Sequence, residues 1–192
     1  YIIGYDFDND RVESSLPTNE IWYTSIDGKI ITPNVETFSK AKIISNVYEN
    51  GQGVITFDEK VTWIPSEAFQ FNKELATISI PDGISGIGTS AFYQCTSLEN
   101  VIFSEEVTMT YINSATFYGC ISLKSINLPD SVHVINPGAF AGCTSLTSIT
   151  IPQNVTGIYG GPYYDYDGAF EGCKALNTVY CKPTTPPSLP KY

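Results

Sequence analysis

From Val61 onward the apolar positions of this chain recur at long, regular intervals. Phenylalanine stands at Phe69, Phe92, Phe117, Phe140 and Phe170, at spacings of 23, 25, 23 and 30 residues. Six residues after each comes a leucine: Leu75, Leu98, Leu123, Leu146 and Leu176. Three further on stand Ile78, Val101, Ile126, Ile149 and Val179, and two beyond those Ile80, Phe103, Leu128, Ile151 and Cys181. Two apolar positions flanking one outward residue predict a short strand with one face inward. Pro81, Pro129 and Pro152 follow it directly, and a residue without an N–H ends a ladder; Ser104 and Lys182 hold that place in the other two units. A second apolar pair follows, such as Ile84 with Ile87 or Val132 with Ile135. The unit then returns through the segment bearing Ala-Phe and Cys, for which an irregular path or a short helical turn is expected. A repeat of this length predicts a solenoid. The inward side chains of one coil do not offset the entropy of ordering it, so stacked neighbours must supply the remainder.

The preceding residues follow a different pattern. Residues 1–19 are a polar lead-in. Residues 20–60 predict a β-rich N-terminal cap, 61–182 the repeats and 183–192 a stiff, proline-rich exit. Within the cap, Glu20 to Pro33 reads as two β-rich stretches around Asp27-Gly28, and Lys42 to Phe57 as two more around Asn50-Gly51, both hairpin signals. An end coil left open exposes apolar surface and unpaired backbone, which is the reason a solenoid carries a differing first block.

The unit A-[FT]-x-x-C-x-S-L-x-x-[IV]-x-[IVLF]-P, carried by GTSAFYQCTSLENVIF, NSATFYGCISLKSINLP, NPGAFAGCTSLTSITIP and DGAFEGCKALNTVYCK, resembles the BspA-type leucine-rich repeat family of bacterial surface proteins. The resemblance spans about Glu20 to Pro187. It implies an α/β leucine-rich-repeat solenoid of stacked short parallel strands behind a β-rich cap. It also implies an exported protein, attached at the cell surface or outer membrane and in some members adhesive. One departure is plain: counting from Leu75, the usual asparagine of leucine-rich repeats falls at Gly83, so the buried asparagine ladder is missing.

Composition narrows the function. Twenty acids against ten Lys and Arg give a net charge of −10, and no basic stripe is present, which argues against nucleic acid. No apolar run approaches the roughly 20 residues a membrane-spanning helix needs. Cys95, Cys120, Cys143 and Cys173 each follow a repeat phenylalanine by three residues. Equivalent positions of stacked coils point in parallel, so disulfides and a tetrahedral zinc site are disfavoured and buried free thiols are expected. Asp6, Asp8 and Asp10 lack the glycine and glutamate of an EF-hand loop. Ser39-Lys40-Ala41-Lys42 matches a serine–lysine motif by chance, without its companion motifs. His133 is the single histidine, so no histidine-based triad can form around a second one. The chain reads as non-enzymatic, with no cofactor and no metal.

Two surfaces remain for a ligand. The outward strand positions Ser79, Ile102, Asn127, Thr150 and Tyr180, beside Thr77, Asn100, Ser125, Ser148 and Thr178, predict a flat face rich in hydroxyls and amides; a merely soluble, threonine-rich face gives the same pattern. The 30-residue spacing before Phe170 inserts about seven residues and gathers Tyr159, Tyr163, Tyr164 and Tyr166 among glycines. That is the composition of recognition loops, and equally of tyrosines folded over the last coil. The expected partner is a host or bacterial surface protein; the alternatives are a carbohydrate, or no ligand at all in a presentation spacer.

Overall fold

The computed structural model describes residues 5–6, 11–12, 17–160 and 168–182. A two-stranded antiparallel ladder of β1 (Tyr5–Asp6) and β2 (Arg11–Val12) precedes the cap. The cap holds β3 (Glu20–Ser25), β4 (Thr37–Phe38), β5 (Ala41–Glu49) and β6 (Gln52–Phe57). β5 and β6 form the expected hairpin, with Glu49 opposite Gln52 and only Asn50 and Gly51 between them. Both have positive φ, 51° and 84°, which a tight hairpin turn requires.

The hairpin expected around Asp27-Gly28 does not form. Ile30 to Pro33 is not a strand, because both edges of β3 are occupied. One edge pairs antiparallel with β6 and the other antiparallel with β8 (Leu75–Ile80), the first repeat strand. Ile31 instead turns inward, its N–H donated to the Tyr23 hydroxyl at 3.1 Å. The cap thereby continues the repeat sheet, covering its first strand by backbone pairing.

Each coil carries two extended corners. Along the first run β8, β10 (Asn100–Phe103), β13 (Ser148–Ile151) and β15 (Thr178–Cys181). Along the second run β7 (Trp63–Ile64), β9 (Gly86–Ile87), β11 (Tyr111–Ile112), β12 (Val134–Ile135) and β14 (Gly157–Ile158). β10 pairs parallel with β8, and β15 with β13. Residues 125–128, expected as a strand, make only one bridge, Asn127 to Thr150. The ladder therefore breaks between the second and third coils. The break coincides with a longer second coil: Ile112 follows Phe103 by nine positions, where Ile87 follows Ile80 and Ile135 follows Leu128 by seven.

No helix occurs among the described residues, so the short helical return is corrected to a chain of tight turns. Tyr93 N–H donates to Ser90 and Cys95 N–H to Phe92, both at 3.1 Å. Alternate amides instead reach the next coil: Phe92 N–H to Thr116 at 2.9 Å, Phe117 N–H to Ala139 and Phe140 N–H to Ala169 at 2.8 Å. Positive φ at Ser90 and Gln94, Ala115 and Gly119, Gly138 and Gly142 interrupts every stretch that could have become helical.

The core consists of columns. The rings of Phe69, Phe92, Phe117, Phe140 and Phe170 stack successively at 5.4 Å between centroids, no two neighbours inclined by more than 13°. Phe38 of β4 ends the column at 6.0 Å from Phe69. Leu75, Leu98, Leu123 and Leu146 are wholly buried beside it. The last coil is more open: Leu176 is partly buried, and Val179 is 52% exposed where Ile149 is 2%.

Candidate functional site

The thiol column is structural. Cys95 Sγ donates to the Phe69 carbonyl at 3.0 Å, Cys120 to Phe92 at 3.2 Å, Cys143 to Phe117 and Cys173 to Phe140, both at 3.1 Å. Each thiol thus binds the backbone of the preceding coil, a linking role that small apolar packing alone does not describe. All five cysteines are free. In the first coil Asn72 takes the place and accepts the Leu75 N–H at 3.2 Å. Burial disfavours the thiolate, pushing Cys95 up to about 12 and raising Cys120 and Cys143 as well. These thiols are poor nucleophiles at neutral pH.

A stability profile follows from this. The unfolded chain releases the thiol protons near pH 8.5 and the folded chain only well above it. Stability is therefore unaffected below about pH 8 and falls as pH rises from about 9 toward 12, by up to about 1.4 kcal/mol per pH unit for each buried thiol. Urea unfolding across that range is expected to show the decline, with a shallower slope in Cys120→Ala. Alkylation of the native chain is expected to reach exposed Cys181 first and Cys95, Cys120 and Cys143 only on unfolding.

The strand face differs from the expected flat polar surface. Ser79 and Ile102 do lie on the outward side of their strands, but Ser79 is 2% and Ile102 9% exposed, so they are not open as foreseen. Ser79 sits directly opposite Trp22 in the β3–β8 pairing and beside Ile102 in the β8–β10 pairing. Two large neighbours on one face close over the small hydroxyl. Trp22 in turn lies opposite Val54, and Val54 opposite Val47. An apolar row therefore crosses the outer face from cap to repeats, with the Trp22 indole held by Glu20 at 2.7 Å. Asn127 is exposed, Thr150 partly so, and Tyr180 is 61% exposed. Between β10 and residues 125–127 the broken ladder leaves a cleft of about 80 Å³, with Ile102 and Asn127 among its walls.

Tyr159 lies at the stem of the insertion, its N–H donated to the Ile135 carbonyl at 2.8 Å. Tyr163, Tyr164 and Tyr166 lie outside the described residues, as do Asp8 and Asp10. The two stems meet: a Cβ built on Gly160 would come within 2.4 Å of Gly168 Cα. Phe140 follows Ile135 by five positions, and removing residues 161–167 leaves Phe170 following Ile158 by the same five. The coil thus closes without the insertion.

Other side chains escaped the sequence reading. Phe71, Tyr93 and Tyr118 form a second ring ladder outside the core, at 5.5 and 4.9 Å; an aromatic residue one or two positions after a repeat phenylalanine is its signal. Trp63 and Tyr111 are also surface aromatics, 38% and 51% exposed. His133 is exposed, with Nδ1 2.8 Å from the Ser131 carbonyl. Among the described residues no group of three or more His, Cys, Asp or Glu could hold a metal, and no helix is long and apolar enough to cross a membrane.

This geometry has close parallels. A model of the BspA type leucine-rich repeat region matches residues 41–177 in six copies, reaching back into the cap. A leucine-rich cell surface protein of Faecalibacterium prausnitzii is similar in structure, with TM-score 0.57 and 39% identity over 64% of this chain and 30% of that one. A leucine-rich repeat protein of Bacteroides ovatus gives 0.54 and 33% over 70% and 31%. The T. pallidum leucine-rich repeat protein gives 0.55 and 28% over 64% of each chain. The chain therefore spans under a third of the first two proteins' length. No curated protein matches it. With the repeat motif, the stacked coils and these neighbours in agreement, the chain belongs to the BspA-type leucine-rich repeat family.

Proposed function

We propose that this chain is a non-enzymatic recognition segment of an exported bacterial surface protein, and that it binds a protein partner through the tyrosine-rich insertion and the strand face. The observation that carries this reading is the meeting of Gly160 and Gly168. Seven residues with three tyrosines are added where the coil needs none, and tyrosine supplies large contact area at small entropic cost. The apolar row of Val47, Val54, Trp22 and Ile102 is a second contact surface of the kind partners cover. Surface location is supported by the F. prausnitzii neighbour, itself described as a cell surface protein.

The test is deletion of residues 161–167, joining Gly160 to Gly168. Stability is expected to stay within about 0.5 kcal/mol of the parent chain, while binding to a panel of extracellular-matrix and bacterial surface proteins is lost. Retained binding that disappears in Trp22→Ala assigns the contact to the strand face alone. Silence of the parent chain across the panel favours the spacer reading.

A further inference from the structure

The outer face of β7, β9, β11, β12 and β14 carries a feature distinct from the strand face, and it meets the insertion only at Tyr159. Trp63 stands opposite Gly86, and a Cβ at Gly86 would lie 2.0 Å from Trp63 Cζ3 and 2.6 Å from both Cε3 and Cη2. The point is too close to Cε3 and Cη2 for an in-plane approach to Cζ3, so it lies over the ring's face and not beyond its edge. The indole therefore lies flat across the neighbouring coil, and glycine is required beneath it. At the far end of the same face a ring also covers a glycine, here within a single coil. A Cβ at Gly157 would meet Tyr159 Cζ and Oη at 2.8 Å and Cε2 at 2.9 Å. Between the two, β11 lies beside β9 and presents Tyr111, paired through Val134 to Gly157. Three aromatic side chains thus share one row along the solenoid axis, two of them laid down on glycines.

Charge separates this face from the rest of the chain. Two residues per coil border this face, beginning with Thr62 and Trp63; none of the ten across five coils is Asp, Glu, Lys or Arg, and His133 is the one titratable side chain among them besides Tyr111. Hydroxyls run beside the rings, at Ser85, Thr110 and Thr156, the first donating to the Thr62 carbonyl at 2.9 Å. On a chain of net charge −10, a neutral strip of this length is complementary to a neutral ligand. A flat indole and a half-exposed tyrosine, bordered by hydroxyl groups, match the alternating C–H faces and hydroxyl edges of sugars.

We propose that this face is a platform for a linear, uncharged oligosaccharide that runs along the solenoid axis and stacks on Trp63 and Tyr111. Trp63 and Tyr111 themselves lie outside both the insertion and the strand face.

The experiment follows Trp63 emission in a Trp22→Phe background, titrating with four neutral hexasaccharides: β-1,4-glucan, β-1,4-mannan, β-1,3-glucan and α-1,4-glucan. A saturable change with at least one of them is expected, weakened at least tenfold by Tyr111→Ser. Isothermal calorimetry on Trp63→Ala is expected to show the same loss. Tyr111→Ser removes a half-exposed side chain, so retained thermal unfolding in that variant separates ligand loss from misfolding. No response to any of the four sugars overturns the proposal, and so does binding that survives both substitutions. Concentration-dependent self-association abolished by Trp63→Ala also overturns it, by making the face a contact between copies.

Discussion

Phe117→Ala is expected to cost about 3–5 kcal/mol of folding stability, the largest loss from any single truncation in this chain. Its ring lies 5.4 Å from both Phe92 and Phe140, nearly parallel to each, and the residue is wholly buried. The cavity would open at the middle of the column, where the coils on either side are held by Phe117 N–H to Ala139 and Phe92 N–H to Thr116. Those backbone bonds fix the coil spacing and limit collapse around the void. Urea unfolding followed by circular dichroism is the measurement, with the midpoint lowered and the slope retained. A loss below about 1 kcal/mol would mean that the rings do not form one column. Phe170→Ala is the natural contrast. Among the described residues it has one ring neighbour, Phe140, and it is only partly buried. Its cost is expected to be smaller.

Gly88→Ala carries the second large effect, and it tests the backbone stacking instead of the side chains. A Cβ there would lie 2.3 Å from Ser66 N and 2.7 Å from Ser66 Cα, main-chain atoms of the preceding coil that cannot rotate away. The two coils must separate locally, at the point where Gly88 N–H donates to the Ile64 carbonyl at 2.8 Å. The expected loss is about 2–3 kcal/mol. Gly28→Ala is the control: unlike Gly88 it has positive φ, 69°, but nothing lies within 4 Å of its Cβ position. It is expected to cost only about 1 kcal/mol, from backbone strain. Equal losses in the two variants, measured by the same urea titration, would remove the close coil approach from the account.

The columns were legible in the sequence because each rests on spacing alone. A phenylalanine, then a leucine six residues on, then an apolar pair, leaves little choice of which side chains face inward. What failed to show was set by partners distant in sequence. Ile30 to Pro33 has strand composition, yet β3 had already committed both edges, one of them to a strand some fifty residues later. Ser79 alternates with the inward Ile78 and Ile80, but it is buried opposite Trp22 in an antiparallel pairing that the repeat pattern does not encode. The missing strand at 125–128 coincides with two extra residues in the previous coil, visible as a spacing of 25 but not as a broken ladder. The helical return was misread because Ala-Phe-rich segments favour helix locally, whereas here alternate amides are spent on the next coil. For the candidate surfaces, tyrosine clustering announced the insertion. The flat indole on Gly86 gave no such signal, since glycine and tryptophan stand 23 residues apart and meet only through stacking.

The side-by-side placement of Leu98, Leu123 and Leu146 can be measured directly in solution. With leucine methyl groups labelled and assigned, nuclear Overhauser contacts are predicted between Leu98 and Leu123 and between Leu123 and Leu146, with none between Leu98 and Leu146. Methyl groups of Leu123 that contact neither of the other two would contradict the stacked-coil account.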